Sequence, residues 1–175
     1  MTTRRIRNIQ KKDIPPLSCL CFSMPMESES KSKKWVGRTT ACFPATTVVE
    51  AWAIAGNFCA AHKWLPLDTC CKIEGEENEP GCIRLCGSRL NWVKERLVTF
   101  DPVGHTYAYE ITESNMGFGN YLSFVKLIPA GEEGCQVEWA FEADPVDGWT
   151  KDGLVSYMQT ALEAMEKAIL LNNGK

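Results

Sequence analysis

NWVKERLVTF, residues 91–100, is the stretch whose reading decides the fold. In a strand, successive side chains point to opposite faces. Val93, Glu95 and Leu97 then share one face, while Lys94 and Arg96 share the other. The two cations fall where a solvated face wants them. Glu95 does not: it is in register with apolar residues, so its carboxylate is expected to point into the core or into a cavity the core encloses. An unpaired buried carboxylate costs roughly several kcal/mol and normally protonates or finds a partner. The best cation for that role is Arg84, in the strand-like run GCIRLCG at 81–87.

The same period-two reading extends outward. From Pro66 to residue 142 the pattern is strand-like, with strands expected at 69–73, 82–86, 91–100, 106–112, 121–128 and 136–142. Turns fall at EGEENEPG (74–81), DPVG (101–104) and 129–134. Tyr107, Tyr109 and Ile111 are in phase, and so are Val137, Trp139 and Phe141. Short turns imply an antiparallel meander with one wet face and one covered face. The cover is a helix after the N-cap Thr150, where Leu154, Val155, Met158, Ala161, Leu162, Met165 and Ile169 recur at helical spacing. A helix of about twenty residues is roughly 30 Å long, enough to cross a whole sheet. Ahead of the meander lie a strand at 35–43, ended by Pro44, and two short helices. The first opens on a Thr47–Glu50 capping box and carries Val48, Val49, Trp52 and Ala55 on one face; the second spans 58–64. The class is α+β.

The chain has 175 residues, 45% of them hydrophobic and 23% charged, which suits one globular domain. A net charge of −3 lacks the basic footprint of a nucleic-acid binder. The nine cysteines, with Cys19 and Cys21 one residue apart and Cys70 beside Cys71, fit neither a paired-knuckle zinc site nor a disulfide framework. They read as reduced thiols in a cytoplasmic or nuclear compartment, with no metal and no cofactor implied. No run approaches the roughly 18 to 20 apolar residues of a membrane span, so stable membrane insertion is not expected. Residues 1–33, basic at first and ending in the serine-rich run ESESKSK, read as a disordered extension ahead of a folded domain at 34–175. Met24 and Met26 are alternative starts, and a transit-peptide reading stays open.

That order of elements resembles the helix-grip fold of the START and birch-pollen-allergen superfamily, in which a curved antiparallel sheet of about seven strands grips a long C-terminal helix. Within it, the chain most resembles the plant lachrymatory-factor-synthase group of the polyketide cyclase/dehydrase and lipid transport proteins. The match is carried by KWVG (34–37), AW (51–52), HKWLP (62–66), EGE (74–76), GCIR (81–84), WVKERL (92–97), YAY (107–109), GNY (119–121) and EWAF (138–141). The resemblance implies a cavity with Arg84, Glu95 and Tyr121 as its catalytic residues, and with Tyr109 and Trp139 among its walls. Trp64 and Leu65 would line the mouth. The segment from Arg84 to Glu95 is shorter than in that group, so the loop over the mouth differs.

Two functions follow. The leading one is a binding protein for a small hydrophobic ligand. The alternative is an intramolecular isomerase that moves a proton in an unsaturated sulfenic acid, with a desolvated Glu95 of raised pKa as shuttle and Arg84 holding the oxygen. A plain internal ion pair would explain Arg84 and Glu95 equally well. The gate and latch of abscisic-acid-type receptors find only loose counterparts, in Pro80-Gly-Cys and Gly87-Ser-Arg. His62 reads as an exposed, cap-side residue, and Cys82 and Cys86 share the parity of Arg84.

Overall fold

The structure is a computed structural model and describes residues 33–172. The extension expected over 1–33 lies outside those residues, Lys33 excepted. Strand β1 (Trp35–Phe43) leads into helix α1 (Val48–Ala55) and a 3-10 segment (Phe58–Lys63). Six strands follow: β2 (Thr69–Glu74), β3 (Ile83–Gly87), β4 (Trp92–Asp101), β5 (Thr106–Ser114), β6 (Tyr121–Ala130) and β7 (Gly134–Ala143). Helix α2 (Lys151–Asn172) closes the described chain.

The sheet order is β1-β7-β6-β5-β4-β3-β2, with every neighbouring pair antiparallel. The meander runs from β2 to β7, and β1 returns to pair with β7. This is the antiparallel meander that the alternation of apolar residues implied, in the seven-stranded helix-grip arrangement that the family resemblance implied. Its covered face carries Leu97, Tyr107, Tyr109, Val125, Leu127, Val137, Trp139 and Phe141, each at most 5% exposed. The opposite face holds ion pairs between neighbouring strands, Lys94 with Glu113 and Arg96 with Glu110.

Helix α2 lays its stripe on the covered face: Leu154, Met158, Ala161, Leu162, Met165 and Ile169 are all buried. Its first turn is capped as expected, with the Gly153 amide donating to Thr150 Oγ1 at 3.0 Å. Gly37 lets β1 come this close, because a Cβ there would collide with the ring of Phe141 and with Val155. Among the described residues no helix is long and apolar enough to cross a membrane.

Three local expectations need correction. Helix α1 does form its capping box: Glu50 N donates to Thr47 Oγ1 and Thr47 N donates to Glu50 Oε2. Its buried face, however, is Ala51 and Ala55 with Val48 and Trp52 beside them, and Val49 is 67% exposed. Positions 48, 51, 52 and 55 keep the i, i+3, i+4, i+7 spacing that Val49 breaks. In β4 the simple alternation fails after Leu97, where the register with β5 slips between Leu97 and Thr99. Such a bulge leaves Thr99 exposed beside Val98 and lets Phe100, rather than Thr99, pack on the core. Finally, the cysteines are not all free thiols. The β2–β3 register sets Cys70 opposite Cys86, and the two form a disulfide.

Because Leu162 is fully buried, Leu162→Ala should cost about 2–5 kcal/mol in denaturant unfolding. Val49→Ala should change stability by less than about 0.5 kcal/mol. A large loss for Val49→Ala would contradict the face assigned to α1.

Candidate functional site

Arg84 on β3 and Glu95 on β4 are register partners. Antiparallel pairing therefore stands both side chains next to each other on the covered face. Arg84 Nε donates to Glu95 Oε2 at 2.6 Å, and the residues are only 4% and 8% exposed. A second contact anchors the guanidinium: Arg84 Nη1 donates to the carbonyl of Phe58. Its central carbon lies 3.9 Å from the centroid of the Phe58 ring and 5.2 Å from that of Tyr109. The 3-10 segment is itself held, because Phe58 N donates to Asn78 Oδ1 at 3.0 Å. Asn78 has φ 60, a conformation asparagine tolerates better than most residues.

Burial by itself would lower the pKa of Arg84. The charge of Glu95 opposes that, with smaller help from Tyr107 and Tyr109, and the guanidinium ends above its usual range. Arg84 is thus a fixed cation. Its pairing uses only part of each group. Among the described residues Glu95 Oε1 accepts no hydrogen bond and Arg84 Nη2 donates none.

Both side chains line a cavity of about 230 Å³. Its walls are otherwise mostly apolar or aromatic and come from the sheet, from α2 and from four loops. Of the residues expected here, Tyr109, Tyr121, Trp139 and Leu65 line it with Arg84 and Glu95. Trp64 does not. It is buried behind the wall, edge-on to Trp139 with ring centroids 6.0 Å apart. The 3-10 segment ends there, turning Trp64 inward and leaving Leu65 and Pro66 to the cavity.

Trp139 is locked in place. Its indole Nε1 donates to Ser123 Oγ at 2.7 Å, and that hydroxyl donates to the Ala140 carbonyl at 3.0 Å. Tyr121 stacks on Phe141 at 5.8 Å with ring planes 7° apart. Of the two cysteines sharing the parity of Arg84, Cys86 lines the cavity from its disulfide, whereas Cys82 packs against Cys59 at 3.6 Å. His62 is exposed, as expected of a cap-side residue.

All four tyrosines of the chain feel this site. Burial is the largest cause of the raised pKa at Tyr107, Tyr109, Tyr121 and Tyr157, and the negative charge of Glu95 adds to it at each. Tyr107 is pushed up to about 12. Hydrogen bonding with Ser123 and Tyr109 offsets part of the rise at Tyr121. These phenols are therefore neutral hydrogen-bond donors at physiological pH.

Sequence reasoning missed several walls. Tyr157 stands three residues after Leu154 and four before Ala161, so the helical spacing that found the stripe could have found it too. Phe118 and Trp149 had no periodic signal. Each follows a glycine with positive φ, Gly117 and Gly148, and their rings meet 5.5 Å apart at the cavity. Only the turns bring them together.

Residues 39–169 match the family profile described as polyketide cyclase/dehydrase and lipid transport. An uncharacterized protein from Bacillus thuringiensis aligns with a TM-score of 0.66 at 21% identity, over 77% of this chain and 98% of that one. A protein from Thermobifida fusca gives 0.66 and 21%, over 77% and 93%. The protein XoxI from Bacillus cereus gives 0.63 and 21%, over 77% and 92%. At that identity the structural likeness speaks for the fold.

Removing one partner of the buried pair, in Arg84→Leu, should cost about 3–5 kcal/mol in denaturant unfolding. Adding Glu95→Leu should restore most of it, and a double variant as unstable as the single would deny that the pair is coupled. The tyrosines give a pH prediction. Tyr107 ionises near 10 in the unfolded chain and near 12 in the fold. Its contribution to stability is therefore full below pH 10 and is lost as pH rises through 12. Ultraviolet titration of the native protein should show no tyrosinate step at pH 10, and such a step would mean that the phenols are solvated.

Proposed function

The chain belongs to the polyketide cyclase/dehydrase and lipid transport family, and from that membership we propose that it binds a small hydrophobic molecule between its sheet and α2. One observation carries the reading. An ion pair is held in an apolar cavity with one carboxylate oxygen left free, which gives a ligand both an apolar surround and a single polar anchor. Apolar walls supply affinity at about 25 cal/mol per Å² buried, while Glu95, Arg84 and Tyr121 set orientation. Tyr109, Trp139 and Leu65 form the surround, with Trp64 supporting Trp139 from behind.

A second reading is favoured by the same free oxygen. Glu95 lines the cavity with Oε1 taking no hydrogen bond among the described residues, so it is the acceptor that a substrate O–H would meet. With an unsaturated sulfenic acid, its carboxylate would take the O–H proton and return it to the alkene carbon farther from sulfur, so that C=C becomes a single bond and the C–S bond becomes the C=S of a thial S-oxide. Arg84 would hold the oxygen as its charge develops.

A solvatochromic naphthalene dye should gain fluorescence with the wild-type protein and be displaced by small apolar compounds. Absence of both effects would overturn the binding reading. The same preparation, given an unsaturated sulfenic acid, tests the second. Turnover that falls about 10²-fold or more in Glu95→Gln would support it. No wild-type turnover would remove it while binding stands.

A further inference from the structure

We infer that the molecule this cavity takes is a neutral, hydroxyl-bearing compound of single-ring size, whose hydroxyl donates to Glu95 Oε1 and accepts from Arg84 Nη2. This rests on the cavity being a binding site.

Size comes first. A cavity of about 150 Å³ takes up benzene, and this one measures about 230 Å³. Scaling by volume gives a ligand of about nine or ten heavy atoms. A sterol or a two-chain lipid is far larger.

Charge comes second. Among the described residues Arg84 and Glu95 are the only charged ones lining the cavity, and they sum to zero. A carboxylate entering would meet Glu95, and an ammonium would meet Arg84. Neither would find an uncompensated opposite charge to offset its loss of water.

Hydrogen-bonding capacity comes third. A carboxylate oxygen only accepts and a guanidinium only donates, whereas a hydroxyl does both. The two groups left without partners, Glu95 Oε1 and Arg84 Nη2, therefore call for one ligand group that gives and receives. An ether would satisfy the arginine and leave the glutamate bare. The remaining walls, Trp139, Trp149, Phe118 and Tyr121 among them, present ring faces and edges suited to a flat apolar body.

Three probes of matched shape test this by titration calorimetry: 3-phenyl-1-propanol, its methyl ether and 3-phenylpropanoate. The wild type should bind the alcohol at least tenfold more tightly than either of the others. In Glu95→Gln, where the charge of Arg84 is no longer balanced, the preference should turn toward the carboxylate. Should that variant not fold, the wild-type ranking decides alone. Equal binding of alcohol and ether, or a wild-type preference for the carboxylate, would overturn the inference and leave the cavity as a site for some other ligand. If none of the three binds and the dye is also refused, the binding reading itself fails.

Discussion

The hydrogen-bonded ion pair between Arg84 and Glu95 joins neighbouring strands on the covered face of the sheet. Burying two charges costs several kcal/mol for each, roughly, and their attraction recovers this only where the remaining donors and acceptors are provided for. Much of this fold is arranged around that provision. The Phe58 carbonyl takes one guanidinium nitrogen and the Phe58 ring lies under its plane, so the 3-10 segment must sit against β3. Asn78, in the turn between β2 and β3, holds the Phe58 amide from the other side. One salt bridge thus ties together the segment after α1, the acidic turn and two strands.

The cavity follows from where the large rings fall. Toward the C-terminal half of α2, Leu162, Met165 and Ile169 are fully buried with Val137 and Leu127. They form an ordinary dense core. Toward its N-terminal half the helix presents Leu154, Tyr157 and Met158 to the open space, and the facing strands carry Tyr109, Tyr121 and Trp139. Rings pinned by partners of their own cannot slide together to close that space. Trp139 is pinned by Ser123 and Tyr121 by its stack on Phe141. Polar groups then remain at the bottom of an apolar hollow, where a low dielectric strengthens whatever they contact. The polar cluster and the empty volume are two consequences of one packing pattern.

Several of these features were legible in the chain. A two-residue period exposes any polar residue that shares a face with valine and leucine, which is how Glu95 stood out. Arg84 followed from the cost of leaving that acid alone. The α2 stripe was equally plain, because burial at a 3.6-residue period leaves few alternatives. Alternation put Trp139 on the inward face and family likeness added Tyr121 and Tyr109, and all three line the cavity. What escaped depended on small offsets. Val49 lies one position from the buried face of α1, and the slip after Leu97 changes which side chain of β4 packs inward. A period read from sequence carries no signal for an inserted residue.

The sequence by itself therefore determined the order of strands and helices, the buried face of α2 and of most strands, and the presence of a buried acid and its cation, because those depend on periodicity and on the cost of burying charge. Only the tertiary structure decided that Cys70 meets Cys86, that Trp64 stands behind the wall and that Phe118 and Trp149 come together at the cavity. Those contacts join residues from separate elements. They are set by strand register and by left-handed glycine turns, neither of which a local pattern of side chains records.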